Sequence, residues 1–307
     1  MTNNSTPLDI PTLRQTLRDC PIGHTVHYWE RTASTMPLAH AEMAAARAKA
    51  SRPHSGLANV SGALFVTEEQ TAGRGRLART WETPYAAALL MSIPLDETDL
   101  TPPLRQRPQL LPMLMGIAVA HTLAALPLAA TGEEPLGPRV ALKWPNDILL
   151  AVDPLAAPLV FGKVAGILIE STFDRASLDY VVIGIGLNVN QTAAQLPPPQ
   201  EGAPPPVSLC STLGRRVDRT SLLVNLCRNI AMLLPTAPSS IYAEWRGLLH
   251  TLGQPVTVHT ADNGSKRAAE RFEGTAIDVT PDGDLVVENA QHERRHFSAG
   301  VVTLRPN

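Results

Sequence analysis

An apolar run that predicts a β-strand leads into Thr67-Glu-Glu-Gln-Thr-Ala-Gly-Arg-Gly-Arg-Leu-Ala-Arg-Thr-Trp81. This stretch sets Arg74, Arg76 and Arg79 beside two glycines in a predicted loop. Arginine supplies a fixed charge and forked N–H donors, and glycine lets backbone N–H groups approach a ligand closely. The pattern predicts an anion-binding loop, although a solvated basic loop would have the same composition.

Runs of β-branched and apolar residues on both sides of this loop predict the strands of one sheet. They are Val26–Trp29, Ala63–Thr67, Ala86–Pro94, Val140–Trp144, Asp147–Leu150, Val164–Glu170 and Tyr180–Asn188. Several of these runs are joined too closely for a helical crossover, so we expect a largely antiparallel or mixed sheet. Apolar positions at helical spacing predict helices over Met36–Ala50, Leu110–Leu126 and Thr220–Leu234. Together these elements predict an α+β domain.

The pattern changes after Trp245-Arg-Gly-Leu-Leu, where short strands and turn residues alternate. The predicted strands are Pro255–His259, Glu270–Val279, Asp284–Glu288 and Arg295–Ser298, with turns at Asp262-Asn-Gly and Pro281-Asp-Gly. They predict a small β-barrel. We therefore expect an N-terminal extension at residues 1–25, an α+β domain at 26–250 and the barrel at 251–307.

Composition limits the classes of function. Lys and Arg number 26 against 28 Asp and Glu in 307 residues, so no net basic field favours nucleic acid. Residues 1–20 are too few for a helix-turn-helix domain, and they contain no apolar signal sequence. Three cysteines, Cys20, Cys210 and Cys227, have neither an even count nor metal-ligand spacing, which suits reduced thiols. We expect a cytoplasmic protein with no membrane segment.

Four other segments stand in a fixed order around the arginine loop. They are Ser34-Thr35, Lys143-Trp-Pro-Asn-Asp-Ile148, Gly162-Lys163-Val-Ala-Gly166-Ile-Leu-Ile-Glu170 and Gly184-Ile-Gly186-Leu-Asn188-Val-Asn190. With the loop, they resemble the signature motifs of the biotin protein ligases. The resemblance implies a class II synthetase-like catalytic domain at 26–250 that binds biotin and ATP. It also implies an SH3-like C-terminal barrel, and a monofunctional type without an N-terminal DNA-binding domain.

The activity implied by this resemblance is that of a ligase forming a carbon–nitrogen bond, a biotin–[acetyl-CoA-carboxylase] ligase. ATP, with Mg²⁺, would convert biotin to biotinyl-5′-AMP with release of pyrophosphate. The biotinyl group would then pass to a lysine of a biotin carboxyl carrier protein domain in an acyl-CoA carboxylase or pyruvate carboxylase. No nucleic acid or membrane partner is expected. A lipoate–protein ligase and a biotin-responsive repressor are the alternatives.

The resemblance also assigns roles to single residues. The implied catalytic residues are Lys163, Arg76 and Asp147. The implied biotin-binding residues are Ser34, Thr35, Gln70, Gly73, Arg74, Arg76, Lys163, Gly166 and Gly184. The implied ATP-binding and adenylate-binding residues are Arg74, Arg76, Arg79, Trp81, Lys163 and Asn188. No dedicated metal site is expected, because His and Cys lack ligand spacing; Mg²⁺ would arrive with ATP, with Asp147 as the nearby acid.

Structural roles would explain some of the same residues. Ser34 or Thr35 could cap the helix that follows, the glycines could mark β-bulges, and Lys163 could be a surface ammonium beside a strand. Asp147 could hold the fold by a hydrogen bond, or it could help the incoming amine lose its proton. Two residues depart from the family pattern: Met36 replaces the usual Asn after Ser-Thr, and Ala78 replaces a usual Gly.

Overall fold

The structure is a computed structural model, and it describes residues 6–49, 59–76, 79–128, 134–260 and 271–304. Helices α1 to α7 span Ile10–Thr16, Thr35–Lys49, Pro102–Gln106, Leu111–Ala124, Leu209–Leu213, Arg219–Leu233 and Pro238–Leu248. Strands β1 to β12 span Val26–Thr32, Leu64–Gln70, Ala88–Asp96, Val140–Lys143, Asp147–Ala151, Phe161–Asp174, Ser177–Asn188, Pro255–His259, Arg271–Val279, Leu285–Glu288, Arg294–Phe297 and Val301–Leu304. The predicted α+β class is confirmed. Ala78 and the turn predicted at Asp262-Asn-Gly lie outside the described residues.

The larger sheet has the strand order β1-β2-β3-β7-β6-β5-β4. Its first pair, β1 and β2, is parallel, and the other neighbouring pairs are antiparallel. The prediction of a mixed sheet is confirmed. Every residue of β3 is buried, which explains why Ala88–Asp96 is an almost unbroken apolar run.

Helices cover both faces of this sheet. Helix α4 packs against α6 and α7 and is buried on nearly every side, as its uniformly apolar sequence requires. On the other face α2 contacts β2, β3 and β7, and Met36, Ala39 and Met43 meet Phe65 and Val182 there. None of the described helices is both long enough and apolar enough to cross a membrane.

A buried ion pair anchors the strand that leads into the arginine loop. Arg219, at the start of α6, donates a 2.7 Å hydrogen bond to Glu68 of β2, and both side chains are almost fully buried. Arg219 also donates to the carbonyl of Ala88, and Glu68 accepts from the backbone N–H of Leu8. Helix α6, strand β3 and the N-terminal segment are thereby tied together by one ion pair.

The second sheet is antiparallel, with the strand order β11-β10-β9-β8-β12, and its apolar side chains join the core of the larger sheet. Trp144 crosses between the two sheets. Its indole N–H donates to the carbonyl of Gly283 at 2.8 Å, and its backbone N–H donates to Thr251 Oγ1 at 2.9 Å. The second sheet is therefore fixed directly beside residues 143–147.

The elements not expected from the sequence include helices α3, α5 and α7 and strand β12. Helix α7 buries only Ile241 and Trp245, so its apolar stripe is narrow, although Pro238 at its first turn is a typical start signal. Strand β12 is only four residues long and pairs with β8, which is distant in sequence. The expected helices and strands otherwise differ from the structure mainly at their ends, where sequence patterns are least exact.

Candidate active site

A cavity of about 540 Å³ opens beside the larger sheet, with β12 of the second sheet at its rim. Its size lies within the range of small-molecule sites, about 300–1,000 Å³. Its wall brings together predicted site residues from five separate segments: Ser34, Thr35, Gln70, Arg74, Arg76, Arg79, Trp81, Asp147, Lys163, Gly166, Gly184 and Asn188. Gly73 is the predicted site residue that the wall does not include.

Gly73 closes the arginine loop instead of facing the cavity. Its carbonyl accepts the backbone N–H of Trp81 at 3.0 Å, while Gly75 N–H donates to Arg79 O at 2.7 Å. A Cβ at position 73 would lie 2.2 Å from the carbonyl oxygen of Trp81. Glycine is required at position 73 because the two ends of the loop meet, and the implied contact of Gly73 with biotin stays a prediction.

Two lysines flank Asp147 at the centre of the cavity wall. The hairpin of β4 and β5 pairs Lys143 with Asp147, and β6 brings in Lys163. Lys163 Nζ lies 2.7 Å from Asp147 Oδ1, whereas Lys143 Nζ lies 4.0 Å from Asp147 Oδ2. Burial lowers the pKa of Lys143, and the Asp147 carboxylate opposes this shift only in part. Asp147 thus holds two ammonium groups close together.

Lys143 was missed by the sequence analysis although it opens one of the quoted motifs. Its side chain is only 6% exposed. A lysine inside the otherwise apolar run Val140–Trp144 was the available signal, because an unpaired ammonium is rarely buried.

Arg76 adds a partly buried cation. Its Nη1 donates to Asn146 Oδ1 at 3.1 Å, and burial lowers its pKa while Asp147 opposes the shift. The cavity wall contains five Lys and Arg side chains against three acids, Glu82, Asp147 and Glu201. No group of three or more His, Cys, Asp or Glu that could hold a metal occurs within the described parts of the chain. The surplus positive charge suits an anionic ligand.

Arg74 lies at the rim of the cavity and forms an ion pair with Glu170, which is not part of the cavity wall. Its Nη2 is 3.2 Å from Glu170 Oε1, and Glu170 Oε2 lies 2.9 Å from His40 Nε2 of α2. Arg74 is about half exposed, so this pair is worth at most about 1 kcal/mol. An anion in the cavity could therefore recruit Arg74 at little cost.

The indole of Trp81 lies on a pair of glycines. Gly166 and Gly186 are directly opposite each other on β6 and β7, and a Cβ would lie 3.2 Å and 2.6 Å, respectively, from indole atoms. The Lys163 ammonium is 5.5 Å from the ring centroid. Trp81 Nε1 is buried and has no hydrogen-bond partner in the described structure. The missing side chains of the two glycines leave the space in which the indole lies, and the implied contact of Gly166 with biotin stays a prediction.

Gly184 is covered in the same way by Met36. A Cβ at Gly184 would lie 2.8 Å from Met36 Sδ. Ser92 of β3 pairs with Gly184 of β7 and also lines the cavity, and the sequence analysis did not identify it. Thr35 begins α2, and its hydroxyl lies 2.7 Å from that of Ser92. The closed end of the cavity is thus built by α2, β3 and β7.

The proline-rich segment 196–206 is an irregular loop with no buried residue, and only its last residues pair with β6. Pro205 O accepts the backbone N–H of Lys163 at 2.7 Å, and Val207 N–H donates to Lys163 O at 2.9 Å. Prolines lack an N–H donor, but their carbonyls still accept. Asn188 holds the same segment, because its Nδ2 donates to Val207 O and its Oδ1 accepts from Gln191. The predicted contact of Asn188 with adenine remains a prediction.

Comparisons with known proteins agree on one family. A model described as the Biotin/lipoate A/B protein ligase family matches residues 51–188. The biotin–[acetyl-CoA-carboxylase] ligase of Paracoccus denitrificans is 32% identical over 225 residues, which cover 70% of this chain and 81% of that protein. The chain belongs to the biotin/lipoate A/B protein ligase family. The arginine loop and the motifs around Lys143 and Lys163 lie within the matched residues, and the motif that begins at Gly184 extends two residues beyond them, to Asn190.

Other relatives in the biotin/lipoate ligase family extend the comparison. The bifunctional ligase/repressor BirA of Bacillus subtilis is 29% identical over 244 residues, and the match covers 78% of this chain but only 66% of that relative's length. The biotin protein ligase of Aquifex aeolicus, solved in complex with biotin and ATP, has a TM-score of 0.63 at 21% identity. That match covers 92% of this chain and 99% of the solved chain, and it establishes the fold.

Proposed function

We propose that this chain is a biotin protein ligase. It would convert biotin and ATP to biotinyl-5′-AMP and pyrophosphate, and then transfer biotin to a lysine of a biotin carboxyl carrier domain. The observation that carries this proposal is the cavity in which Lys143 and Lys163 flank Asp147, with Arg76 bound to the neighbouring Asn146. The same cavity is lined by the hydroxyl-bearing residues Ser34 and Thr35 and by Trp81. Two anions and an apolar ring system would need such a combination.

In the first step a biotin carboxylate oxygen attacks the α-phosphorus of ATP, and pyrophosphate leaves. Two negatively charged reactants must meet, and negative charge builds on the phosphoryl oxygens. Lys163 and Arg76 are placed to stabilise that charge, because partly buried cations act more strongly there than in water. Lys143 is placed to reinforce them from behind Asp147. We propose that Mg²⁺ enters with ATP and is held mainly by the phosphates of ATP. The charge of Mg²⁺ would add to the positive charges of Lys143, Lys163 and Arg76.

In the second step the carrier lysine amine attacks the acyl carbon, the bond to the phosphate oxygen breaks and AMP leaves. The amine must lose a proton. Asp147 is the acid placed to accept it, although its ion pair with Lys163 must then loosen. This proposal favours a chemical role for Asp147 over a purely structural one.

The ligand-binding roles follow the shape of the cavity. We propose that Ser34, Thr35 and Gln70 bond the ureido group at the closed end. The Trp81 indole would stack on adenine, and its unpartnered Nε1 is a donor that a bound ligand could satisfy. Arg74 and Arg79 would close over the phosphates. For the long substrate to fit, the Trp81 indole must move away from part of the surface that Gly166 and Gly186 form.

We further propose that residues 251–307 form a domain that closes the cavity from outside. Gly300, Val301, Val302 and Thr303 of this segment line the rim. A Cβ at Gly202 of the proline-rich segment would lie 2.2 Å from Thr303 Cγ2, so the two sides are in close contact. The carrier would be an acyl-CoA carboxylase or pyruvate carboxylase domain, and reduced cysteines suit action in the cytoplasm.

Pyrophosphate release tests the proposal. The purified chain is given ATP, Mg²⁺ and either biotin or lipoate, and then an apo carrier domain whose labelling is followed by mass spectrometry. We expect release with biotin and a mass increase on one carrier lysine. Release with lipoate alone would instead identify a lipoate ligase. No release with either acid would refute both.

A further inference from the structure

Three side chains form a hydrogen-bonded chain at the closed end of the cavity. Thr35 Oγ1 lies 2.7 Å from Ser92 Oγ and 3.3 Å from Gln70 Oε1. The backbone N–H of Thr35 donates to the same Gln70 oxygen at 2.9 Å. Ser92 has no exposed surface, and Thr35 is 1% exposed. The three groups come from β3, α2 and β2, and they meet in the wall of the cavity.

The direction of each bond follows from the chemistry of the groups. A backbone N–H can only donate, so the Gln70 atom beside Thr35 must be its oxygen. Thr35 has one hydroxyl hydrogen, and in the bond to Gln70 it is the donor. Ser92 must then donate its own hydrogen to Thr35 Oγ1. The Gln70 oxygen is occupied by Thr35, and its amide N–H groups are the donors left for a ligand carbonyl.

We propose that Ser92 is a positioning residue for the ureido group of the substrate. It sets the direction of the Thr35 hydroxyl, and through Thr35 it sets which end of the Gln70 amide faces the ligand. Ser92 acts through Thr35 because it has no exposed surface of its own. The inference rests on the proposed function, and it adds a residue that none of the sequence motifs contains.

The position of Ser92 supports this role over simple core packing. Ser92 faces Gly184 across the sheet, and Met36 covers that glycine. The surrounding face of β3 is apolar, where a hydroxyl without a partner would be costly. Alanine would avoid that cost at the same place, so a purely structural position does not require serine. A position whose hydroxyl orients the Thr35 side chain does require serine.

The test compares Ser92→Ala, Thr35→Ala and the double variant in the full-length protein. Biotin affinity is measured by calorimetry, and the KM for ATP and kcat by pyrophosphate release. Loss of one hydrogen bond of about 1 kcal/mol should weaken biotin binding by Ser92→Ala about fivefold. The KM for ATP and kcat at saturating biotin should stay unchanged. Because Ser92 acts through Thr35, the double variant should bind biotin no more weakly than Thr35→Ala alone.

The matched control is Thr122→Ala, which removes another buried hydroxyl, on α4 and outside the cavity. It should leave biotin affinity unchanged. If Ser92→Ala does not fold, Ser92→Cys keeps the volume with a weaker donor and should show the same selective loss. Wild-type biotin affinity in a Ser92 variant, or additive losses in the double variant, would overturn the inference. If the wild type is active with biotin, such a result leaves the proposed function standing; a wild type that binds no biotin would refute both.

Discussion

Replacing Lys143 with Met should make the protein more stable and slower at the same time. The Lys143 side chain is 6% exposed, and its nearest carboxylate oxygen, 4.0 Å away, belongs to Asp147. Asp147 is already paired with Lys163 at 2.7 Å and keeps that partner in the variant. Met has a similar length and no charge, so the desolvation cost of the ammonium disappears.

The expected stability gain is about 1 kcal/mol, the low end of what apolar replacement of buried ions gives, because Asp147 compensates Lys143 in part. For a domain of this size that raises Tm by about 2–4 °C. Adenylate formation should slow by about 10²-fold, the usual effect of removing one charge-stabilising group. The gain in stability would therefore come with a loss of function.

The pH dependence of the free energy of unfolding provides a separate check on the direction of the stability change in Lys143→Met. Burial depresses the pKa of Lys143 below its ordinary 10.5, so the unfolded chain holds this proton more tightly than the folded chain. Wild-type stability should rise as the pH increases from the depressed pKa towards 10.5. The variant lacks this contribution, so its stability advantage should shrink over the same range.

Lys163→Met is the matched control. Lys163 is 30% exposed and forms the shorter ion pair, so its removal should slow adenylation without raising Tm. Thermal unfolding by circular dichroism and single-turnover pyrophosphate release measure the two effects. The reasoning would be refuted by a Lys143→Met protein with a Tm at or below the wild-type value at pH 7, or with the wild-type rate.

Four other substitutions test the remaining parts of the site and its support. Lys163→Ala should keep the fold and slow adenylate formation about 10²-fold or more, and a folded variant with the wild-type rate would contradict the assignment. Arg76→Ala should shorten retention of the adenylate, measured by filter binding, more than Trp81→Ala weakens biotin binding, measured by calorimetry without nucleotide. Loss of biotin binding in Trp81→Ala would show that the loop is placed wrongly. Arg219→Leu should cost about 3–5 kcal/mol in urea unfolding, because Glu68 stays buried without its cation; unchanged stability would exclude this role.

The sequence predicted the elements and the grouping of the motifs because both depend on local patterns. Alternation and turn residues place the strands, and antiparallel pairing then brings Lys163 to Asp147. Contacts between segments that are distant in sequence were harder to predict. Ser92 reaches the site through its register with Gly184, and no local pattern distinguishes its hydroxyl from one in the core. The burial of Lys143 was likewise missed, because it depends on packing between distant parts of the chain.

The position of the Trp81 indole was also beyond the sequence. Gly166 and Gly186 belong to two of the quoted motifs, but their direct pairing across β6 and β7 depends on register. The pairing of the proline-rich segment with β6 was also beyond the sequence, because proline lacks an N–H donor and is typical of irregular structure. Its carbonyls remained available, and Lys163 uses one of them.

Trp144 connects the second sheet to the proposed active site, because it bonds to Gly283 and directly follows Lys143 in the chain. The carbonyl that accepts its indole N–H belongs to Gly283, whose φ is +91°, and a Cβ there would lie 2.6 Å from Met113 Cε. Any other residue at this turn would therefore shift the acceptor, and Trp144 would carry that shift to its chain neighbour Lys143. In a random mutagenesis screen, slow variants should thus include substitutions at Gly283, a position that touches no substrate. Such a change would slow the reaction only because it displaces Trp144 and, with it, Lys143.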